Sequence, residues 1–345
     1  MASTARYTLI RACILDPMGE FDLIARYFTR PTARAVLGVG DDCALLQPVP
    51  GTQLAISSDM LVEGRHFLSD VDPSALGHKA LAVNLSDLAA CGAKPLAFTL
   101  ALALPRVDEA WLAAFSRGLL GLADAHGCEL VGGDTTQGPL NICITVFGEV
   151  PVVGGKSQAL LRSGARAGDD IYISGTLGDA RLALEARRGT ITLPAALFEQ
   201  VRGRLEQPSP RVALGQALRG VASAAIDVSD GLLGDLQHVL RASRVGATID
   251  TSVAINLIAA CAHPDWATGI ISFEKQLEYS LAGGDDYELA FTAPVSARAA
   301  VQTAALLAGT PATRIGCIEK TTGLRLIDAQ GNALPCGFTA FDHFA

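Results

Sequence analysis

Aspartate recurs in six short stretches of this chain, most of them carrying glycine or serine: Gly40-Asp41-Asp42, Ser57-Ser58-Asp59, Ser86-Asp87, Gly132-Gly133-Asp134, Asp227-Val228-Ser229-Asp230-Gly231 and Gly283-Gly284-Asp285-Asp286. Taken singly, each aspartate is most simply a turn former or a helix cap. Together they pose an electrostatic problem. Two carboxylates about 4 Å apart repel by roughly 4 kcal/mol at an effective dielectric near 20. Converging loops of this kind must keep protons or hold cations. Oxygen-only donor sets suit hard divalent cations, and Mg²⁺ characteristically brings phosphates with it. Glycine beside Asp42 and Asp134 permits close approach of the backbone to a phosphate. Phosphoryl transfer is a chemistry that wants this composition, because it needs positioning and charge neutralisation more than covalent help.

Two basic residues carry open alternatives. His66, within Glu63-Gly64-Arg65-His66-Phe67, reads either as a turn histidine or as a group facing a substrate phosphate. Arg162, within Leu161-Arg162-Ser163-Gly164, reads either as a solvated linker charge or as a phosphate clamp across a domain junction.

The elements that must hold these residues follow from apolar periodicity. Phe21, Ile24, Ala25 and Phe28 predict an opening amphipathic helix that stops before Pro31. Residues 54–57 read as a strand running into a Ser57-Ser58-Asp59 loop. Residues 73–91 read as a helix on which Ala80, Val83, Asn84 and Asp87 share one face, with Gly92 as its stop. A strand over 96–104 precedes a helix capped by Asp108. A strand ending in a Gly132-Gly133-Asp134 loop precedes another over 140–150. Residues 151–170 lose periodicity, and the domain junction is expected near 152. Beyond it come strands over 171–174, 224–228 and 289–292. Helices are expected from Asp179, after Pro208-Ser209-Pro210, and from Asp230-Gly231.

At 345 residues the chain suits two domains: an N-terminal one over 19–151 and a C-terminal one over 152–345, with 1–18 as a disordered extension lacking a signal-peptide pattern. Half the residues are hydrophobic and the net charge is −8, which argues against nucleic-acid binding. Eight scattered cysteines without CxxC or zinc spacing read as free thiols in a reducing cytoplasm. No apolar run is long enough to span a bilayer. Gly155-Lys156-Ser157 lacks the leading glycine of a P-loop, since Val150 stands there. Gly38-Val39-Gly40 lacks the third glycine of a dinucleotide fingerprint, since Cys43 stands there. A Gly-x-Ser-x-Gly elbow is missing as well. Any nucleotide is therefore bound by another architecture.

From Gly19 to Phe344 the motifs resemble those of the thiamine-monophosphate kinase family, within the aminoimidazole-ribonucleotide-synthetase-like ATP-binding superfamily. The resemblance is carried by Gly19-Glu20-Phe21, Gly38-Val39-Gly40-Asp41-Asp42-Cys43-Ala44, Asn84-Leu85-Ser86-Asp87-Leu88-Ala89-Ala90 and Gly132-Gly133-Asp134-Thr135-Thr136. It continues in Arg162-Ser163-Gly164, Ala225-Ile226-Asp227-Val228-Ser229-Asp230-Gly231, Gly283-Gly284-Asp285-Asp286-Tyr287-Glu288-Leu289 and Phe341-Asp342-His343-Phe344.

The resemblance implies an α/β (α+β) two-domain fold. In it the N-terminal sheets of a homodimer form a barrel and the C-terminal domain is an α/β sandwich. It implies transfer of the ATP γ-phosphoryl group to thiamine phosphate. Asp42, Ser57, Ser58, Asp59, Asp87, Asp134, Asp227 and Asp230 would hold several Mg²⁺ ions, with Asp42, Asp87, Asp134 and Asp227 as the catalytic set. Gly133, Asp134, Arg162 and Ser229 would meet ATP, and His66, Asp285 and Phe341 would meet thiamine phosphate. The family often has Thr-Asp in place of Ser58-Asp59, and Glu in place of Asp285. Two alternatives are a sibling ATP-dependent synthetase of the superfamily and a non-catalytic Mg²⁺-nucleotide-binding module.

Overall fold

The computed structural model describes residues 19–335, 337 and 338; the expected extension over 1–18 and the candidate Phe341 lie outside the described residues. The N-terminal half opens with helix α1 (Glu20–Tyr27) and a two-stranded ribbon, β1 (Ala35–Leu37) and β2 (Leu45–Leu46). Then follow β3 (Thr52–Val62), α2 (Pro73–Ala90), β4 (Lys94–Leu104), α3 (Glu109–His126), β5 (Glu129–Gln137), β6 (Asn141–Val153) and β7 (Lys156–Ser157). Strands β3, β6, β4 and β5 lie side by side in that order, with β7 paired to β6. All of these pairs are antiparallel except β4 with β5.

The C-terminal half runs β8 (Asp170–Ser174), α4 (Asp179–Arg187), α5 (Ala195–Glu206), α6 (Val212–Ala217), β9 (Ala224–Val228), α7 (Leu232–Ser243) and β10 (Gly246–Asp250). It continues through α8 (Thr251–Ala254), α9 (Phe273–Ala282), β11 (Glu288–Ala293), α10 (Arg298–Leu307), β12 (Ala312–Glu319), β13 (Gly323–Ile327) and β14 (Ala333–Leu334). Its seven strands form one sheet in the order β14-β13-β10-β12-β8-β11-β9. Strands β8, β11 and β9 are buried along their whole length, although β9 is the last strand of the sheet.

Two expected loops are instead strand interior. Ser57-Ser58-Asp59 lies within the 11-residue β3, paired to Val146, Thr145 and Ile144. Gly132-Gly133-Asp134 lies within β5, alongside Thr99, Leu100 and Ala101 of β4. In both cases ladder pairing overrides the weak strand propensity of serine, glycine and aspartate.

Helix α2 joins the two halves. Asp72 caps it by accepting from the Ala75 amide at 2.9 Å, and Pro73 occupies the first turn. Thirteen of its 18 residues are buried, so it is covered all round rather than along the single face expected. It packs on α3 and the N-terminal sheet on one side and on α6, β9 and β11 on the other. One continuous apolar core therefore runs from Leu81, Leu85 and Phe98 through to Leu214, Leu289 and Phe291. The approach of α6 is close. A Cβ on Gly215 would stand 2.0 Å from the carbonyl oxygen of Ala89. The Gly215→Ala substitution is therefore expected to push the two halves apart and to destabilise the protein by about 2–3 kcal/mol. Chemical denaturation of the variant against the parent chain measures this, and an unchanged midpoint would contradict it.

Candidate active site

Three polar positions of α2, Asn84, Ser86 and Asp87, place the acidic residues at the seam between the halves. Asn84, fully buried, donates to the Ala80 carbonyl at 3.0 Å and accepts the Asp59 backbone amide at 3.1 Å, which fixes that part of β3. Ser86 donates to Asp227 at the end of β9, at 2.8 Å. Asp87 accepts a short hydrogen bond from the Ser57 hydroxyl. The polar residues on an apolar helix are thus the pins between β3, α2 and β9.

Asp59, Asp87, Asp227 and Asp230 line one cleft of about 710 Å³. Burial above all makes ionisation of Asp59, Asp87 and Asp227 costly. Burial, then the charges of Asp87 and Asp230, push the Asp59 carboxyl up to about 6. Burial and the Asp87 charge push Asp227 up to about 8, against the lowering effect of the Ser86 hydrogen bond. Asp87 is also raised by burial, while the Ser57 hydroxyl and the Arg162 charge oppose the shift. Arg162, itself exposed, is therefore within electrostatic reach of the cleft.

Basic residues line the same cleft: Arg65, His66, Arg181 and Arg188. His66 accepts the Val62 amide on Nδ1 at 3.0 Å, so a neutral ring carries its proton on Nε2. A smaller apolar recess continues from this end past Phe67, Leu68, Val71 and Leu76. Asp285 lines both spaces. The neighbouring Asp286 turns inward instead and is fully buried, accepting the Gly178 amide at 2.9 Å. Asp285 and Tyr287 have φ of +67° and +51°, a left-handed conformation that costs a non-glycine residue about 1–3 kcal/mol. Amide donation from Asp285 to Ser229 and from Tyr287 to Val228, both at 2.8 Å, holds the loop in it. Just beyond, the fully buried Glu288 anchors the strand through Arg204 at 2.7 Å, Arg211 Nε at 2.6 Å and Ser174 at 2.5 Å.

The sequence reading missed three supporting residues. Lys79 is 3% exposed and its Nζ lies 2.8 Å from Asp285 Oδ1. The Asp235 carboxylate accepts the amides of Ser229, Asp230 and Gly231 at 3.0–3.1 Å, while burial pushes it up to about 7. Gly231, rather than Asp230, occupies the cap position of α7. Tyr287 places its hydroxyl 3.4 Å from Asp285. The available signals were a lysine on an apolar helix, an aspartate in the first turn of α7 and an aromatic next to a glycine-rich loop. Each is common in ordinary structural roles.

The remaining candidates lie apart. Asp42, Gly133 and Asp134 line a second hollow of about 660 Å³ with Phe21, Ile24 and Phe28 of the opening helix region. Gly133 has φ of +145° there, and a Cβ on it would strike the Leu100 carbonyl oxygen at 1.8 Å. Ser58 does not reach the cleft. Strand alternation points it away from Ser57 and Asp59, and its hydroxyl lies 3.0 Å from Thr145 Oγ1. Ser229 lines the main cleft with its backbone held by Asp235.

In the main cleft Asp59, Asp87, Asp227 and Asp230 could offer carboxylate oxygens to a hard divalent cation, in a space that His66 and three arginines also line. Among the described residues no three His, Cys, Asp or Glu side chains are gathered into a finished protein-only metal site.

The chain is similar to known proteins over most of its length. Residues 40–150 match the AIR synthase related protein N-terminal domain family and residues 166–329 match its C-terminal domain family. The chain is 44% identical over 331 residues to thiamine-monophosphate kinase of Escherichia coli (strain K12), covering 95% of this chain and 98% of that one. It is similar to the crystal structure of thiamine-monophosphate kinase from Stenotrophomonas maltophilia K279a, with a TM-score of 0.78 and 43% identity over 90% of this chain and 95% of that one. It is also similar to AaThiL complexed with AMPPCP and TMP, with a TM-score of 0.73 and 28% identity over 86% of this chain and 89% of that one.

The raised carboxyls have a consequence for stability. Between the unfolded value near 4 and the folded values of about 6 for Asp59 and about 8 for Asp227, the folded protein holds protons that the unfolded chain has released. Their stabilising contribution is present at low pH and is lost as pH rises through those folded values. In EDTA the melting temperature should therefore fall from pH 5 to pH 8.5, and millimolar Mg²⁺ should reduce the fall. A flat profile in EDTA would refute the raised values.

Proposed function

The chain belongs to the thiamine-monophosphate kinase family, and on that premise we propose that it transfers the γ-phosphoryl group of ATP to the phosphate of thiamine phosphate, giving thiamine diphosphate and ADP. The observation that carries this reading is the opposition of charge within one cleft. Asp59, Asp87, Asp227 and Asp230 line it together with Arg65, His66, Arg181 and Arg188. Such a cleft fits a ligand that is both metal-bound and anionic. A relative of this fold binds AMPPCP and TMP, which supports the same pair of sites here.

Asp59, Asp87, Asp227 and Asp230 would hold Mg²⁺, which when bound neutralises charge on the phosphate oxygens. Asn84, Ser57 and Ser86 keep these carboxylates in place. The Arg65-His66 loop and Arg188 would bind the acceptor phosphate. Asp42, Gly133 and Asp134 would serve the nucleotide from the second hollow, with Arg162 and Ser229 toward its phosphates. The acceptor is a phosphate monoester with a second pKa near 6, so it is largely dianionic at neutral pH and needs no strong general base. One of its oxygens attacks the γ-phosphorus in line, the bond to the β-phosphate oxygen breaks, and ADP carries off the electron pair. No phosphoenzyme forms.

Enzyme with Mg-ATP and thiamine phosphate should yield thiamine diphosphate and ADP in equal amounts. ATP hydrolysis without thiamine diphosphate would reject the assignment. Asp87→Asn should leave the fold intact and lower kcat by about 10²–10³-fold. Near-normal turnover would reduce Asp87 to a packing residue.

We further propose a homodimer formed through the N-terminal sheet. Alternation along β3 leaves Leu54, Ile56 and Met60 43%, 61% and 54% exposed on one face. An apolar row of this kind on a sheet is suited to a second copy. Ile56→Asp should convert a dimer to a monomer in light scattering, and a monomeric parent chain would overturn the proposal.

A further inference from the structure

Lys79 is the buried charge that the phosphoryl-transfer chemistry leaves unused. Its ammonium group donates to Asp285 Oδ1 at 2.8 Å and to the His66 carbonyl oxygen at 3.3 Å. The first partner belongs to the C-terminal half and the second to the loop after β3, whereas Lys79 itself stands on α2. Lys79 and Asp285 also line the recess that opens beside His66. A buried ammonium requires a charged partner, because desolvation without one costs several kcal/mol. Asp285 supplies it, and the Tyr287 hydroxyl sits 3.4 Å from the same oxygen. Oδ1 is thereby committed, which leaves Oδ2 as the oxygen able to face a ligand.

We propose that Lys79 is a positioning residue for the acceptor site. It would orient Asp285 and the His66 loop toward one ligand, so that the organic acceptor is gripped only when the two halves are seated on each other. The inference rests on the assignment of thiamine phosphate as acceptor. The nucleotide would share less of this dependence, since Asp42, Gly133 and Asp134 line a separate hollow and only its phosphates would reach Ser229 in the main cleft.

The pair is asymmetric in a useful way. Removing Lys79 leaves the Asp285 side chain, 30% exposed, to be solvated by water. The fold should therefore survive Lys79→Met. The parent chain is first assayed for thiamine diphosphate formation; failure at that step rejects the acceptor assignment and not the role of Lys79. With turnover established, Lys79→Met should raise KM for thiamine phosphate by roughly 10–100-fold and move KM for ATP by less than about 3-fold. Lys79→Gln, which keeps a neutral donor, should fall between the two. The double variant Lys79→Met/Asp285→Asn should be no worse than the poorer single variant, because both act through one contact. Equal rises in both KM values, or additive losses in the double variant, would show a merely structural lysine and overturn the proposal. Should Lys79→Met fail to fold, the KM split in Lys79→Gln decides the matter by the same criterion.

Discussion

The main cleft of this protein hangs on the burial of α2 between two sheets. A helix covered on all sides must satisfy every polar group it carries, because a buried unsatisfied donor or acceptor costs about 1–3 kcal/mol. Lys79, Asn84, Ser86 and Asp87 meet that demand by reaching into four different places. They find Asp285, the backbone of Asp59, Asp227 and Ser57. The requirement for satisfaction and the assembly of the cleft are thus the same set of contacts. The seam between the halves stays polar at one end while the apolar core passes through the rest of it.

The consequence is an acidic cluster held by the fold against its own repulsion. Asp59, Asp87 and Asp227 are fixed from different elements. Burial first, with neighbouring carboxylates second at Asp59 and Asp227, raises their carboxyl pKa values and so makes their ionisation costly. A bound cation relieves that cost directly. The same logic governs the Asp230 loop. Asp235 collects three backbone amides there and so sets the direction in which Ser229 and Asp230 present themselves. Strain is likewise placed at the cleft. Asp285 and Tyr287 adopt left-handed backbone conformations immediately before Glu288, whose two arginines clamp the end of the loop.

Much of this was legible in the residues. The six aspartate stretches, the α2 face bearing Asn84 and Asp87, the Asp108 cap and most strands emerge from periodicity and composition. Motifs of this kind are local, and local chemistry is what a sequence records. The errors also have local causes. Serine, glycine and aspartate argue for loops at 57–59 and 132–134, and they lost to ladder pairing supplied by β6 and β4, which lie far along the chain.

The chain by itself determined which chemistry was available: oxygen donors, glycines for close approach, His66 and scattered arginines. Tertiary structure decided which of those groups meet. It put Asp59, Asp87, Asp227 and Asp230 in one cleft and Asp42 and Asp134 in another hollow. Strand parity turned Ser58 away while keeping Ser57 on Asp87. It also chose Asp285 over Asp286 for the cleft and paired it with Lys79, 206 residues away. Contacts over that separation depend on how two sheets seat on one helix, and no window of sequence contains that information.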